Sequence, residues 1–378
     1  MSSLNLIKNK KKITLLPSFD INQIQQNQVS TENFRNSRSR GLLTITGRWR
    51  FYNRNDNLTS TYLLVQIVKN SDNTVLASCY TDMNGYYSCG PFNNPSVAVR
   101  SQFITYANES TTGNTLVTVN PDVGTTGTIA NAYMSAGSAS TFADGTHDIG
   151  SEVISNGNTN ERAYWIMQDL INVWLYIWNE TGSSQSPQES AGSATVEWKS
   201  GGTTGNYYSI GGNIHLTGTA PLSNTVVGHE YGHNIMHTVY SVYPTSYCPS
   251  PHYMTLSSHV NCAWTEGWAN FLPLAVNNDP VYRWDTGTSQ NLETPTWGTP
   301  GWDNGDDVEG RVAGALWDII DNANDGDDTY TDGDITNIWD TFYHQDDNNF
   351  AEYTAAWISR GHPIDGPDGC LLQNTISY

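Results

Sequence analysis

The chain has 378 residues, 37% hydrophobic and 11% aromatic, with 13 Trp and 21 Tyr, enough apolar material for two or three ordinary domains and too much for wholesale disorder. Its 17 Lys and Arg against 37 Asp and Glu give a formal net charge of −20, which opposes nucleic acid and anionic membrane surfaces as partners. No run of about eighteen apolar residues occurs, so no membrane span is expected.

Residues 1–40 are polar and rich in Asn, Gln, Ser and Lys, and read as a flexible tail or processed segment. Their apolar stretch is broken and short, so no export signal is visible. From 41 to 119 the segments LLTITGRWRFY, TYLLVQIVKN, TVLASCYTD, GYYSCGPF and VAVRSQFITY alternate in polarity between Asn, Asp and Gly turns, which predicts a small β-sandwich. Its turn TDMNGYYS, flanked by Cys79 and Cys89, resembles hairpins of transthyretin-like and carboxypeptidase regulatory-like domains.

A Gly, Ser and Thr-rich stretch from about 121 to 160 leads into ERAYWIMQDLINVWLYIWNE, apolar at helical spacing. The segment YYSIGGNIHLTG then reads as a strand, and a helix follows from about Thr225. TEGWANFLPLAV, VEGRVAGALWDIIDNA, ITNIWDTFYH and FAEYTAAWIS are helical by periodicity, so residues 120–378 read as a mixed sheet with a motif helix followed by a mainly helical lobe. Cys248 and Cys262 form a second local pair, and Cys370 is left over. Two closable pairs imply an oxidising compartment, hence an extracellular or cell-surface protein.

The motif helix contains HExxH, His229-Glu230-Tyr231-Gly232-His233, which puts two imidazoles on one helix face with Glu230 beside the first. That is the arrangement of two metal ligands and a general base that reaches a water without binding the metal itself. A third ligand is required. His237 continues the row, but lies roughly 12 Å along the axis from His229 at ~1.5 Å rise per residue, and the metzincin pattern fails at Met236 and Val239. Glu266, in the helix opening Trp264-Thr265-Glu266-Gly267-Trp268-Ala269-Asn270-Phe271, is the better ligand.

HEYGH followed by TEGWANF resembles the gluzincin zinc metallopeptidases, most nearly the fungalysin-type and thermolysin-type groups, over roughly residues 195–345. The resemblance implies an α+β, zincin-like catalytic domain behind the β-sandwich, with zinc on His229, His233 and Glu266 and with Glu230 as base. It also places Asn270 behind a ligand imidazole, where the family often has Asp; a neutral amide raises ligand basicity less. The helix after the motifs usually begins V-H in fungalysins, but here the pair is Val308-Glu309. The donor for the oxyanion must then be sought among Arg311, Tyr330 and Tyr343, while His215, His252 and His259 are further histidines near the motif.

The run DNANDGDDTYTDGD concentrates Asp325, Asp327, Asp328, Asp332 and Asp334 and resembles a calcium loop, although Ala323 breaks the EF-hand pattern. The expected function is a secreted zinc endopeptidase acting on protein or peptide substrates. Two alternatives stay open: a gluzincin-type aminopeptidase, against which no G-x-M-E-N-like segment is found, and a non-catalytic zinc-containing binding protein, which would have no need of Glu230.

Overall fold

The computed structural model describes residues 41–108, 115–121, 127–180, 191–245, 247–323, 326–363, 365 and 367–378; the tail expected over 1–40 lies outside the described residues. Alternating burial along Leu42–Tyr52 marks β1, whose apolar Leu43, Ile45, Trp49 and Phe51 all face inward. β1 pairs with β5 (Tyr86–Asn93) and β2 (Leu58–Thr59) antiparallel and with β10 (Gly145–Ile154) parallel. A second sheet has the order β4 (Val75–Tyr80), β3 (Leu64–Lys69), β6 (Val99–Ile104), β9 (Met134–Ala136). The two sheets face each other: the Trp49 ring stacks on Phe103 at 5.5 Å, and its indole donates to Ser101 Oγ at 3.0 Å. Cys79 and Cys89 form a disulfide from β4 to β5, so it joins the two sheets and not strands of one sheet. A closed loop of this size contributes on the order of 2–4 kcal/mol.

The expected boundary at 119/120 needs correction. Strands β7 (Tyr106–Asn108) and β8 (Thr115–Asn120) leave the sandwich and join β11 (Ala194–Trp198), β13 (Ile214–Leu216) and β12 (Tyr207–Tyr208) in a mixed sheet, while β9 and β10, C-terminal to that boundary, complete the sandwich. The physical reason is a shared core. Helix α1 (Glu161–Glu180) sits against both layers: Tyr164 stacks on Phe103 of β6 at 5.2 Å and donates to its carbonyl, and Arg54 meets Asp169 bidentately.

Six further helices complete the described residues: α2 (Asn224–Val239), α3 (Val260–Asn277), α4 (Glu309–Ile320), α5 (Thr336–His344), α6 (Phe350–Ser359) and α7 (Pro367–Gln373), with the short hairpin β14 (Val281–Arg283) and β15 (Ser289–Asn291) after α3. The fold is thus α+β, with a mixed sheet preceding a helical lobe. Trp264, Trp268, Trp339 and Phe342 make an aromatic core between α3, α5 and α6, with Trp268 and Phe342 stacked at 3.6 Å. None of the helices in the described residues is long and apolar enough to cross a membrane.

Candidate metal centre

The motif helix α2 starts at Ser223, whose hydroxyl accepts from Val226 N at 3.0 Å and caps the first turn. It then packs on α3 through its smallest residues. A Cβ on Gly228 would lie 2.7 Å from Pro273 Cβ, and one on Gly232 would lie 3.0 Å from Ala269 Cα. This close seam brings the face carrying His229 and His233 against Glu266. Gly232→Ala is therefore expected to force the helices apart, costing about 1–3 kcal/mol and lowering zinc affinity; thermal unfolding and zinc competition measure the two effects, and an unchanged affinity would show that the seam does not set the site.

The three donors converge. His229 Nε2 and His233 Nε2 are 3.1 Å apart, and Glu266 Oε2 is 3.2 and 3.3 Å from them. Tetrahedral donors around zinc at about 2.0–2.2 Å stand about 3.3–3.6 Å apart, so the three residues fit one face of a zinc tetrahedron to within a few tenths of an ångström. Asn270 Oδ1 lies 2.9 Å from His229 Nδ1, where it accepts the ring proton and leaves Nε2 free to ligate. Burial opposes the charge on Glu266, yet the imidazoles of His233 and His229 hold its carboxyl well below the ordinary range.

Glu230 is buried one residue from the first donor, and in the metal-free protein burial pushes its pKa up to about 7, against the opposing effect of His229. The Tyr208 backbone N–H faces its carboxylate and, like His229, opposes that rise. Tyr208 belongs to β12, and the single strand expected over YYSIGGNIHLTG is instead a hairpin. The Ser209–Gly212 turn folds β12 back onto β13, so β12 is the outer strand. The hairpin is anchored by His215, whose two nitrogens meet Glu197 at 2.7 Å and Ser209 Oγ at 3.0 Å, and by the Tyr208 hydroxyl, 3.0 Å from His237 Nδ1. His215 and His237 are thus used to hold the strand.

Of the oxyanion candidates, Arg311 is wholly buried, with its guanidinium over Trp302 and donating to the Asp303 and Thr296 carbonyls. A group so enclosed cannot meet a substrate. The Tyr330 hydroxyl is taken by Asp332, and Tyr343 packs on Trp339 and His344 of its own helix. The groups facing the donors are different. Tyr243 places its hydroxyl 3.4 Å from His233 Nδ1, and the Tyr282 ring stands edge-on to His229. His252 brings Nε2 to 4.0 Å from Glu266 Oε1, with Nδ1 2.7 Å from Glu309 Oε2, and its side chain is 35% exposed. The Glu309 hydrogen bond pushes this imidazole's pKa up to about 9 in the metal-free protein.

The loop bearing His252 is tied down at both ends. Cys248 and Cys262 are bridged, and Gly310 N, Ser258 N and Asp303 N bond Met254 O, Asp307 O and Thr255 O at 2.8–2.9 Å. The donor cluster consequently sits between this loop and the β12–β13 hairpin. His259 caps α3 by accepting from Asn261 N and is not part of the cluster.

The calcium loop does not converge. Asp325 lies outside the described residues. Asp327 is exposed, Asp332 accepts from Tyr330 and Asn337, and Asp334 accepts from Thr336 N. Only Asp328 turns inward, accepting from the Cys370 thiol at 3.2 Å. Among the described residues the loop carboxylates thus serve turns and side-chain donors.

The family described as Mycolysin C-terminal domain matches residues 178–368, a span that contains all three donors and Glu230. An uncharacterized protein of Archaeoglobus fulgidus is 26% identical over 183 residues, covering 46% of this chain and 47% of that protein; the chain spans about half the length of this curated relative. A solved 9R-lipoxygenase from Cyanothece PCC8801 aligns over 40% of this chain and 26% of its own, at 12% identity and a TM-score of 0.19, too slight a likeness to inform the fold.

Proposed function

This chain belongs to the family of the mycolysin C-terminal domain, and from that peptidase relation and the donor cluster we propose that it is a secreted, zinc-dependent endopeptidase with a zincin-like catalytic core. The observation that carries the reading is the mutual spacing of 3.1–3.3 Å among His229 Nε2, His233 Nε2 and Glu266 Oε2, with the carboxylate of Glu230 buried beside them.

His229, His233 and Glu266 would hold zinc, which when bound would supply an acidified water and polarise the scissile carbonyl. Glu230 takes the proton of the attacking water on a carboxylate oxygen and returns it to the leaving amine nitrogen. The Tyr208 N–H keeps that carboxylate oriented. His252, with Nδ1 bonded to Glu309, donates from Nε2 to the oxygen on which charge develops. It thereby supplies the group that the Val308-Glu309 pair lacks. The exposed edge of β12 pairs with an extended substrate backbone, which favours cleavage within chains over removal of terminal residues. Two disulfides support an oxidising, extracellular setting.

The purified chain is expected to carry stoichiometric zinc and to hydrolyse casein, to stop when the zinc is chelated, and to recover on zinc addition. Zinc retention with no cleavage of a broad panel of proteins and peptides would instead make it a binding protein; failure to take up zinc would overturn the ligand set.

A further inference from the structure

Away from the zinc donors, a second set of acidic side chains meets where the C-terminal end of α4 leaves the core. Asp318 is on the last turn of α4, Asp321 follows it, and Glu293 comes from the segment after β15. One ligand oxygen from each lies within 4.8 Å of the others. Three oxygens spaced evenly at about 2.4 Å around one calcium stand about 4.2 Å apart, and an opposed pair up to about 4.8 Å, a range that the spacing of this cluster overlaps. Asp318 and Asp321 are only 2% and 9% exposed, and Asp328 of the following loop is buried next to them.

Buried carboxylates demand a positive partner. Among the described residues no Lys or Arg pairs with Glu293, Asp318 or Asp321; what meets them is neutral, the Trp317 indole on Glu293, the Asn374 amide on Asp318 at 2.7 Å and the Ala323 N–H on Asp321, while Asp321 and Glu293 face each other and raise the Asp321 pKa. Burial and the neighbouring carboxylates raise the pKa of Asp318 well above the ordinary range.

A separate observation indicates what is bound. Asp321 is 9% exposed and its Oδ1 is buried with no hydrogen-bond donor.

We propose that Glu293, Asp318 and Asp321 form a divalent-cation site, for calcium by its all-oxygen donors, which fastens the end of α4 to the acidic loop beyond it. Asp328 lends its charge to the same centre. The site is independent of the zinc donors and of the proposed peptidase activity.

The test uses zinc-loaded full chain desalted of other cations, with zinc content followed throughout. Calcium is expected to raise the thermal midpoint by several degrees, and terbium to show emission sensitised by Trp317. Asp318→Asn with Asp321→Asn should abolish both responses at unchanged zinc content, whereas Asp332→Asn with Asp334→Asn should keep them. If the double variant at 318 and 321 does not fold, Glu293→Gln is expected to weaken calcium binding at least tenfold. The proposal is overturned if wild type responds to neither ion, if both responses survive at 318 and 321, or if Glu293→Gln binds calcium as wild type does.

Discussion

Glu230→Gln is expected to bind zinc as the wild type does and to lose peptidase activity by about 10²–10⁴-fold in kcat/KM, the range that a positioned general base contributes. The substitution preserves shape and still accepts the Tyr208 N–H, so the β12 hairpin keeps its place. An amide cannot take the proton from water, and the loss therefore falls on kcat with little change in KM. His229, His233 and Glu266 are untouched, so zinc content separates loss of chemistry from loss of metal. Full activity in the variant would remove Glu230 from the mechanism, and a zinc-free variant would make it a structural support of the ligand helix.

His252→Ala should lower kcat by about 10²–10³-fold, the effect of deleting one oxyanion donor. The residue is half-exposed and sits on a loop tethered by a disulfide and three backbone bonds, so the fold and the zinc content are expected to survive. Glu309→Gln tests the same pair from behind. It retains a hydrogen bond to Nδ1 but removes the negative charge, roughly halving the strength of that bond, and a fall in kcat smaller than that of His252→Ala is expected. Steady-state kinetics on one peptide decides the matter. If His252→Ala raises KM at constant kcat, the imidazole binds substrate without stabilising the transition state; if neither parameter moves, the Tyr243 hydroxyl becomes the donor to examine.

The three converging donors, His229, His233 and Glu266, were legible because their spacing is local. HExxH fixes two side chains on one turn, and the helical period of TEGWANFLPLAV sets Glu266 on a second helix. His252 was visible only as a nearby histidine, since its role rests on Glu309, 57 positions away; the clues were its place between two pairable cysteines and a carboxylate where the family has an imidazole. Strand β10 was hidden in a Ser, Thr and Gly-rich stretch because most of its side chains are exposed, so it lacks the alternation that marks a half-buried strand. Its parallel pairing with β1 bridges about a hundred residues, and the exchange of β7 and β8 into the second sheet likewise follows from packing around α1. The proposed cation site was hard to read for a similar reason. Charge density along 321–334 drew attention to a loop, whereas the converging carboxylates come from an adjacent helix end and from Glu293, well upstream.

The two walls of the cleft differ mechanically. On one side the chain from Cys248 to Cys262 has its end Cα atoms held 4.9 Å apart by a covalent bond, and acts as a fixed jaw. On the other the β12–β13 hairpin is held through non-covalent contacts, among them the His215 and Tyr208 side-chain bonds, and is the compliant jaw. Since the same hairpin carries the N–H that faces Glu230, a substitution that loosens the hairpin is expected to disturb the proposed base as well as the strand edge.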